Sequence, residues 1–197
     1  MCIRDRDPGL RFARLEAASL FEAGAAALDG AVAAYLRTRG VLMTACPLTG
    51  TAGERAYLLQ SMVATYRHGA RIGEMVKADL SGASTDLWTP GTILYNGSVS
   101  VTSSGTAFQV GAVASGKTLY GGIHVLSGSG SLTARIQSDD NGGFSSATTQ
   151  ITFTAITGTT YEWAMPVAGP VTDDWWRANF TVSSGGPFTV VLSMGIL

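Results

Sequence analysis

Charge is scarce in this sequence. Asp, Glu, Lys and Arg make up 14% of its 197 residues, well under the usual share of about a quarter. The formal net charge is −1, so there is no basic excess to neutralise phosphates, which argues against sequence-specific nucleic-acid binding. Apolar runs are short and broken by Gly, Ser and Thr. None approaches the ~18 residues of a membrane span, so no membrane partner is expected. No apolar run follows the charged start, Arg4-Asp5-Arg6-Asp7, which excludes a signal peptide there. There are two cysteines, Cys2 and Cys46. That is too few for a disulfide scaffold, and neither is spaced with His68 or His124 as a zinc site requires. Cys46 reads as a small, half-buried strand residue.

Catalytic signatures are missing as well. The carboxylates are scattered, and no GxSxG, HExxH or Walker A pattern occurs. The expectation is a protein that is not an enzyme and needs no cofactor. A hydrolase would require His124 or His68 beside a carboxylate and a nucleophile in a cleft.

What the chain does have is apolar content, at 46%, and glycine, with 25 residues. Charge is unevenly spread. Residues 1–97 carry 10 Lys/Arg and 9 Asp/Glu, whereas residues 98–197 carry 3 and 5, with 28 Ser/Thr. This shift, with the turn signal Asn96-Gly97, marks a domain boundary near residue 98.

The first domain, 9–97, reads as mixed. Residues 10–21 suggest a strand. A helix is expected over about 24–38, where Leu28, Val32, Tyr35 and Leu36 share one face, Arg37 and Arg39 suit the last turn, and Gly40 is a natural stop. VLMTACP looks like a short strand and LTGTAGE a loop. RAYLLQSMVATY and EMVKADLSG read as two long strands paired across a turn, and GTILYNG as a last strand.

In 98–197 a period of two recurs. Val99 and Val101 alternate with Ser. Leu132, Ala134 and Ile136 share a face, as do Ile151, Phe153 and Ala155, and Trp176, Ala178, Phe180 and Val182. About seven strands in roughly 100 residues indicate an antiparallel β-sandwich. Its polar faces are Thr/Ser, which can pack against other copies without burying charge, although Thr is also simply a good strand former.

Three motifs could carry function. Ser127-Gly128-Ser129-Gly130-Ser131 lies between strands, with no helix to hold phosphate, and reads as a hairpin loop. Asp139, Asp140 and Asn141, followed by two glycines, are favourable turn chemistry; the weaker alternative is a cation site, although the alternate spacing and later Glu of an EF-hand are lacking. In Asp173-Asp174-Trp175-Trp176-Arg177, alternation sends Trp176 inward and Trp175 and Arg177 outward. Trp175 could stack on a host-surface glycan, anchor the chain in a partner, or be covered by a loop of its own domain. Asn96-Gly-Ser and Asn179-Phe-Thr match the glycosylation pattern but are discounted without a secretion signal.

Nearly all of residues 8–197 resembles tail tube proteins of long-tailed bacteriophages. The similarity rests on FEAGAAALDGAV, GTAGERAYLLQSMVATY and GARIGEMVKADL in the first half. In the second half it rests on LYGGIHVL, QSDDNGGFS, ITFT, VAGPVTDDWWR and the final VVLSMGI. The resemblance implies a mainly β fold: a tail-tube-like β-sandwich with one helix, followed by an immunoglobulin-like or jelly-roll sandwich displayed outside. It implies a virion structural protein, assembled in the bacterial cytoplasm, that self-associates into stacked rings and contacts other virion proteins. A capsid decoration protein or a glycan-binding module is the alternative. Family members carry strands before the position of Gly9-Leu10 that are absent here.

MCIRDR itself resembles a translated sequencing adapter of the kind met in metagenomic assemblies. That resemblance implies native sequence from about Asp7-Pro8-Gly9 and a truncated first domain. Residues 1–8 are then expected to lack stable packing, and the strand at 10–21 to have an unpaired edge.

Overall fold

A computed structural model describes residues 14–20, 35–36, 38–69 and 77–197. The chain is mainly β, with its strands in two antiparallel sheets. The leader 1–8 lies outside the described residues, as does the helix expected over about 24–38 apart from residues 35, 36 and 38. The described residues form two compact units. One takes those up to Met43 together with Leu59–Trp88; the other takes Thr44–Leu58 and Thr89–Leu197.

In the first unit, β1 (Arg14–Leu20) runs antiparallel to the start of β4 (Lys77–Val99), from Arg14 opposite Ala83 to Leu20 opposite Lys77. Strands β3 (Arg55–Gly69) and β2 (Val41–Ala45) follow β4 in the sheet. The two long strands expected from the sequence are therefore neighbours; most of the turn between them lies outside the described residues. Val41, Leu42 and Leu59 are buried, and the buried Ser61 hydroxyl donates to the Val41 carbonyl at 3.4 Å.

The second unit is an antiparallel β-sandwich. Its first sheet has the order β10 (Thr160–Trp163), β7 (Thr118–Ser127), β13 (Phe188–Ile196), then residues 91–99 of β4, with β11 (Val167–Ala168) also on β7. Its second sheet has the order β5 (Ser103–Ser104), β12 (Trp175–Gly185), β8 (Gly130–Asp139), β9 (Thr148–Thr152), with β6 (Phe108–Gln109) also on β12. Alternation explains the core. Leu119, Ile123, Val125, Val190, Leu192 and Met194 from the first sheet meet Leu132, Ala134, Ile136, Trp176, Ala178 and Phe180 from the second in one buried cluster. Each fully buried large side chain contributes about 1.5–3 kcal/mol of transfer free energy. The Trp176 indole N–H would be costly to bury unpaired; it donates to the Gly111 carbonyl at 2.8 Å.

Several expectations are corrected. Asn96-Gly97 is not a turn: both residues lie within β4, opposite Val191 and Val190. The local turn preference yields to the ladder with β13 and to an anchor for the Asn96 amide, which donates to the Gly50 carbonyl at 2.8 Å. GTILYNG is accordingly the end of β4 and not a separate strand, and the chain divides between Trp88 and Thr89, with 44–58 joining the second unit. Val99 is buried but Val101 is 65% exposed, because β4 ends at Val99. Ala155 is exposed and Ile156 takes its place inside: β9 stops at Thr152, and Ile156 forms a separate bridge with Leu132. The Ser127–Ser131 segment is not a hairpin loop, since β7 and β8 belong to different sheets. The chain arches between the layers there. Gly130, with φ 124°, lies opposite Gly185, with φ 71°, and a Cβ on either would strike a carbonyl, Ser184 O or Ser129 O.

Candidate functional surface

The outer face of the second sheet follows from the inner one. With Trp176, Ala178, Phe180, Leu132, Ala134 and Ile136 buried, the residues between them point away from the core. Register sets Trp175 opposite Asp139, Arg177 opposite Gln137, Asn179 opposite Arg135 and Thr181 opposite Thr133.

These side chains form a hydrogen-bonded polar layer. Arg135 Nη1 donates to Thr181 Oγ1 at 2.8 Å and to Asn179 Oδ1 at 3.4 Å. Asn179 Nδ2 donates to Ser104 Oγ at 3.0 Å. Arg177 Nε donates to Gln137 Oε1 at 3.0 Å, and Gln137 Nε2 to Thr149 Oγ1 at 3.4 Å. The Arg177 guanidinium also stacks on Phe144, 4.2 Å from the ring centroid.

The structure brings together the two clusters that the sequence left separate. The loop after β8 folds against Trp175, so closely that a Cβ on Gly142 would lie 3.0 Å from the indole. Of the three roles open to Trp175, cover by a loop of its own domain is what this packing provides, and the side chain is half-buried. Phe144, two residues on, is buried with φ 51°. Neither Phe144 nor Arg135 was singled out by sequence. An aromatic after Gly-Gly carries no local signal, and Arg135 sits in an ordinary alternating strand.

Asp139, Asp140 and Asn141 spend their oxygens on the turn. Asp139 Oδ2 accepts from the Ser146 backbone N–H at 2.9 Å, and Oδ1 from Ser146 Oγ at 3.2 Å and Asn141 Nδ2 at 3.3 Å. Asp140 Oδ1 accepts from Asn141 Nδ2 at 2.6 Å, and Asn141 Oδ1 from the Gly143 N–H at 2.9 Å. Burial pushes the Asp139 carboxyl up, but these hydrogen bonds outweigh it and hold the group below the usual carboxylate value. Among the described residues no three His, Cys, Asp or Glu converge as metal ligands. The neighbouring acids are engaged too: Asp173 Oδ2 accepts from the buried Ser138 hydroxyl at 2.7 Å, and Asp174 Oδ2 from Gln109 Nε2 at 2.6 Å.

The histidines lie elsewhere. His68 is on β3. On β7, His124 Nε2 sits 3.0 Å from Thr44 Oγ1, and burial pushes its pKa down to about 4. This side-chain hydrogen bond is to a hydroxyl and not to a carboxylate. Cys46 is half-buried, just beyond the end of β2; burial, then the Glu54 charge, raises its thiol pKa. Among the described residues, no helix is long and apolar enough to cross a membrane.

No protein-family model, curated protein or solved structure matches this chain.

Proposed function

We propose that this chain is a structural subunit of a bacteriophage virion, of the tail tube type, in which the second unit is a displayed β-sandwich. The observation that carries the reading is the pair of long strands β3 and β4, of 15 and 23 residues, which are neighbours in one sheet; a ring subunit would use long paired strands of this kind to join its sheet to a neighbour's. The low charge, the Ser/Thr-rich second half and the resemblance to tail tube sequences support the same reading. In it, the chain self-associates into rings, meets other virion proteins and performs no catalysis. Sedimentation of the full chain at rising concentration, with electron microscopy, tests it. Closed rings or stacked tubes are expected, and a strictly monomeric mass at high concentration overturns it.

A further inference from the structure

The second sheet's outer face holds two cations, Arg135 and Arg177, that make no direct ion pair among the described residues. Residues 98–197 contain three Lys/Arg, and two of them, Arg135 and Arg177, stand on this face. Because Arg177 lies opposite Gln137 and Asn179 opposite Arg135, the two arginines are diagonal neighbours on adjacent strands. Like charges so placed repel, and a folded chain usually relieves this with a carboxylate. Here the partners are neutral: Thr181 and Asn179 for Arg135, and Gln137 and the Phe144 ring for Arg177. The nearby carboxylates are committed elsewhere, Asp139 to Ser146 and Asn141, Asp140 to Asn141, Asp173 to Ser138 and Asp174 to Gln109. The neutral contacts use Nη1 of Arg135 and Nε of Arg177. A guanidinium has five N–H donors, so both keep donors for an anion while their side chains are already held in place, which lowers the ordering cost of binding.

The surroundings narrow the ligand. The arginines are set among amides and hydroxyls, Gln137, Asn179, Thr133, Thr149 and Thr181, groups that match sugar hydroxyls. The four aspartates at the Trp175 end oppose a uniformly charged polymer such as nucleic acid. We infer that this face binds an acidic polysaccharide, taking an anionic substituent between Arg135 and Arg177 and neutral ring hydroxyls on the flanking amides. The inference does not depend on the virion reading, since a displayed sandwich of any origin could use the face in this way.

The test uses the full chain with polygalacturonate and dextran sulfate as probes, and neutral dextran and polyglutamate as controls, by titration calorimetry at low and moderate salt. Binding of at least one acidic polysaccharide is expected, weakening with salt, with neutral dextran silent and polyglutamate at least about tenfold weaker. The double variant Arg135→Gln/Arg177→Gln is expected to lose at least about tenfold in affinity. The inference is overturned if neither acidic polysaccharide binds, if polyglutamate binds as well, or if the double variant binds unchanged. Hydrogen exchange on the unsubstituted chain gives a readout that does not rely on the variant folding. Ligand-induced protection is expected within 131–139 and 175–181, and protection confined to other strands overturns the assignment.

Discussion

The Arg177 guanidinium lies over the Phe144 ring, 4.2 Å from its centroid. One residue belongs to β12 and the other to the loop after β8, so this contact pins the loop to the sheet. Phe144→Leu keeps apolar volume but removes the π face. A loss on the order of 1 kcal/mol is expected in urea unfolding. In a double-mutant cycle with Arg177→Met, the coupling energy should be about 0.5–1 kcal/mol. A coupling of zero would show that Phe144 acts through burial alone.

His124 makes stability depend on pH. Its folded pKa, about 4, lies below the ordinary 6.5, so the unfolded chain takes up the proton first. Stability is complete above the ordinary value and falls as pH drops from 6.5 towards 4, by up to roughly 1.4 kcal/mol per pH unit. Urea midpoints between pH 7 and 5 should therefore decline for the parent and stay nearly level for His124→Gln. Equal slopes would mean that the imidazole titrates as it does in water.

Asp139 has the opposite sign. Its folded pKa is depressed below the ordinary 3.8, so its contribution is present above that value and is lost as pH falls through the lower folded one. Asp139→Asn should melt at a lower temperature than the parent near pH 7, and the gap should narrow as pH falls below 3.8. A gap that does not change with pH would point to lost packing and not to lost charge.

Gly130 and Gly116 form a matched test of backbone and space. Both have positive φ, 124° and 78°, but a Cβ at Gly116 meets nothing within 4 Å, whereas one at Gly130 strikes the Ser184 carbonyl. Gly116→Ala should cost about 1 kcal/mol from backbone strain alone. Gly130→Ala should cost distinctly more, on the order of 3 kcal/mol or above. Thermal melts of the two variants check the order.

Sequence periodicity served best where strands are regular and one face is buried. The inward sets on β8 and β12, Leu132-Ala134-Ile136 and Trp176-Ala178-Phe180, follow directly from alternation. It failed where tertiary partners override local preference. Asn96-Gly97 has turn chemistry, yet a ladder with β13 and the Gly50 carbonyl hold it extended. Whether β7 and β8 form a hairpin or cross between layers depends on which strands each pairs with, and no local pattern encodes that. The candidate surface was half legible. Alternation sent Trp175 and Arg177 outward, but the loop over Trp175 and the diagonal placement of Arg135 depend on register, which single strands do not specify.

The position of β13 has a consequence for how the chain is made. This strand, last in sequence among the sandwich strands, fills the middle of its sheet, between β4 and β7. Val99 waits for Phe188, and Leu119 for Ile196. On a ribosome, the earlier strands therefore emerge with their apolar faces and their central hydrogen-bonding edges unmet, and the sheet can close only after residues 188–196 clear the exit tunnel. Until that moment the nascent sandwich is a client for chaperones and for the matching edges of its own sister chains.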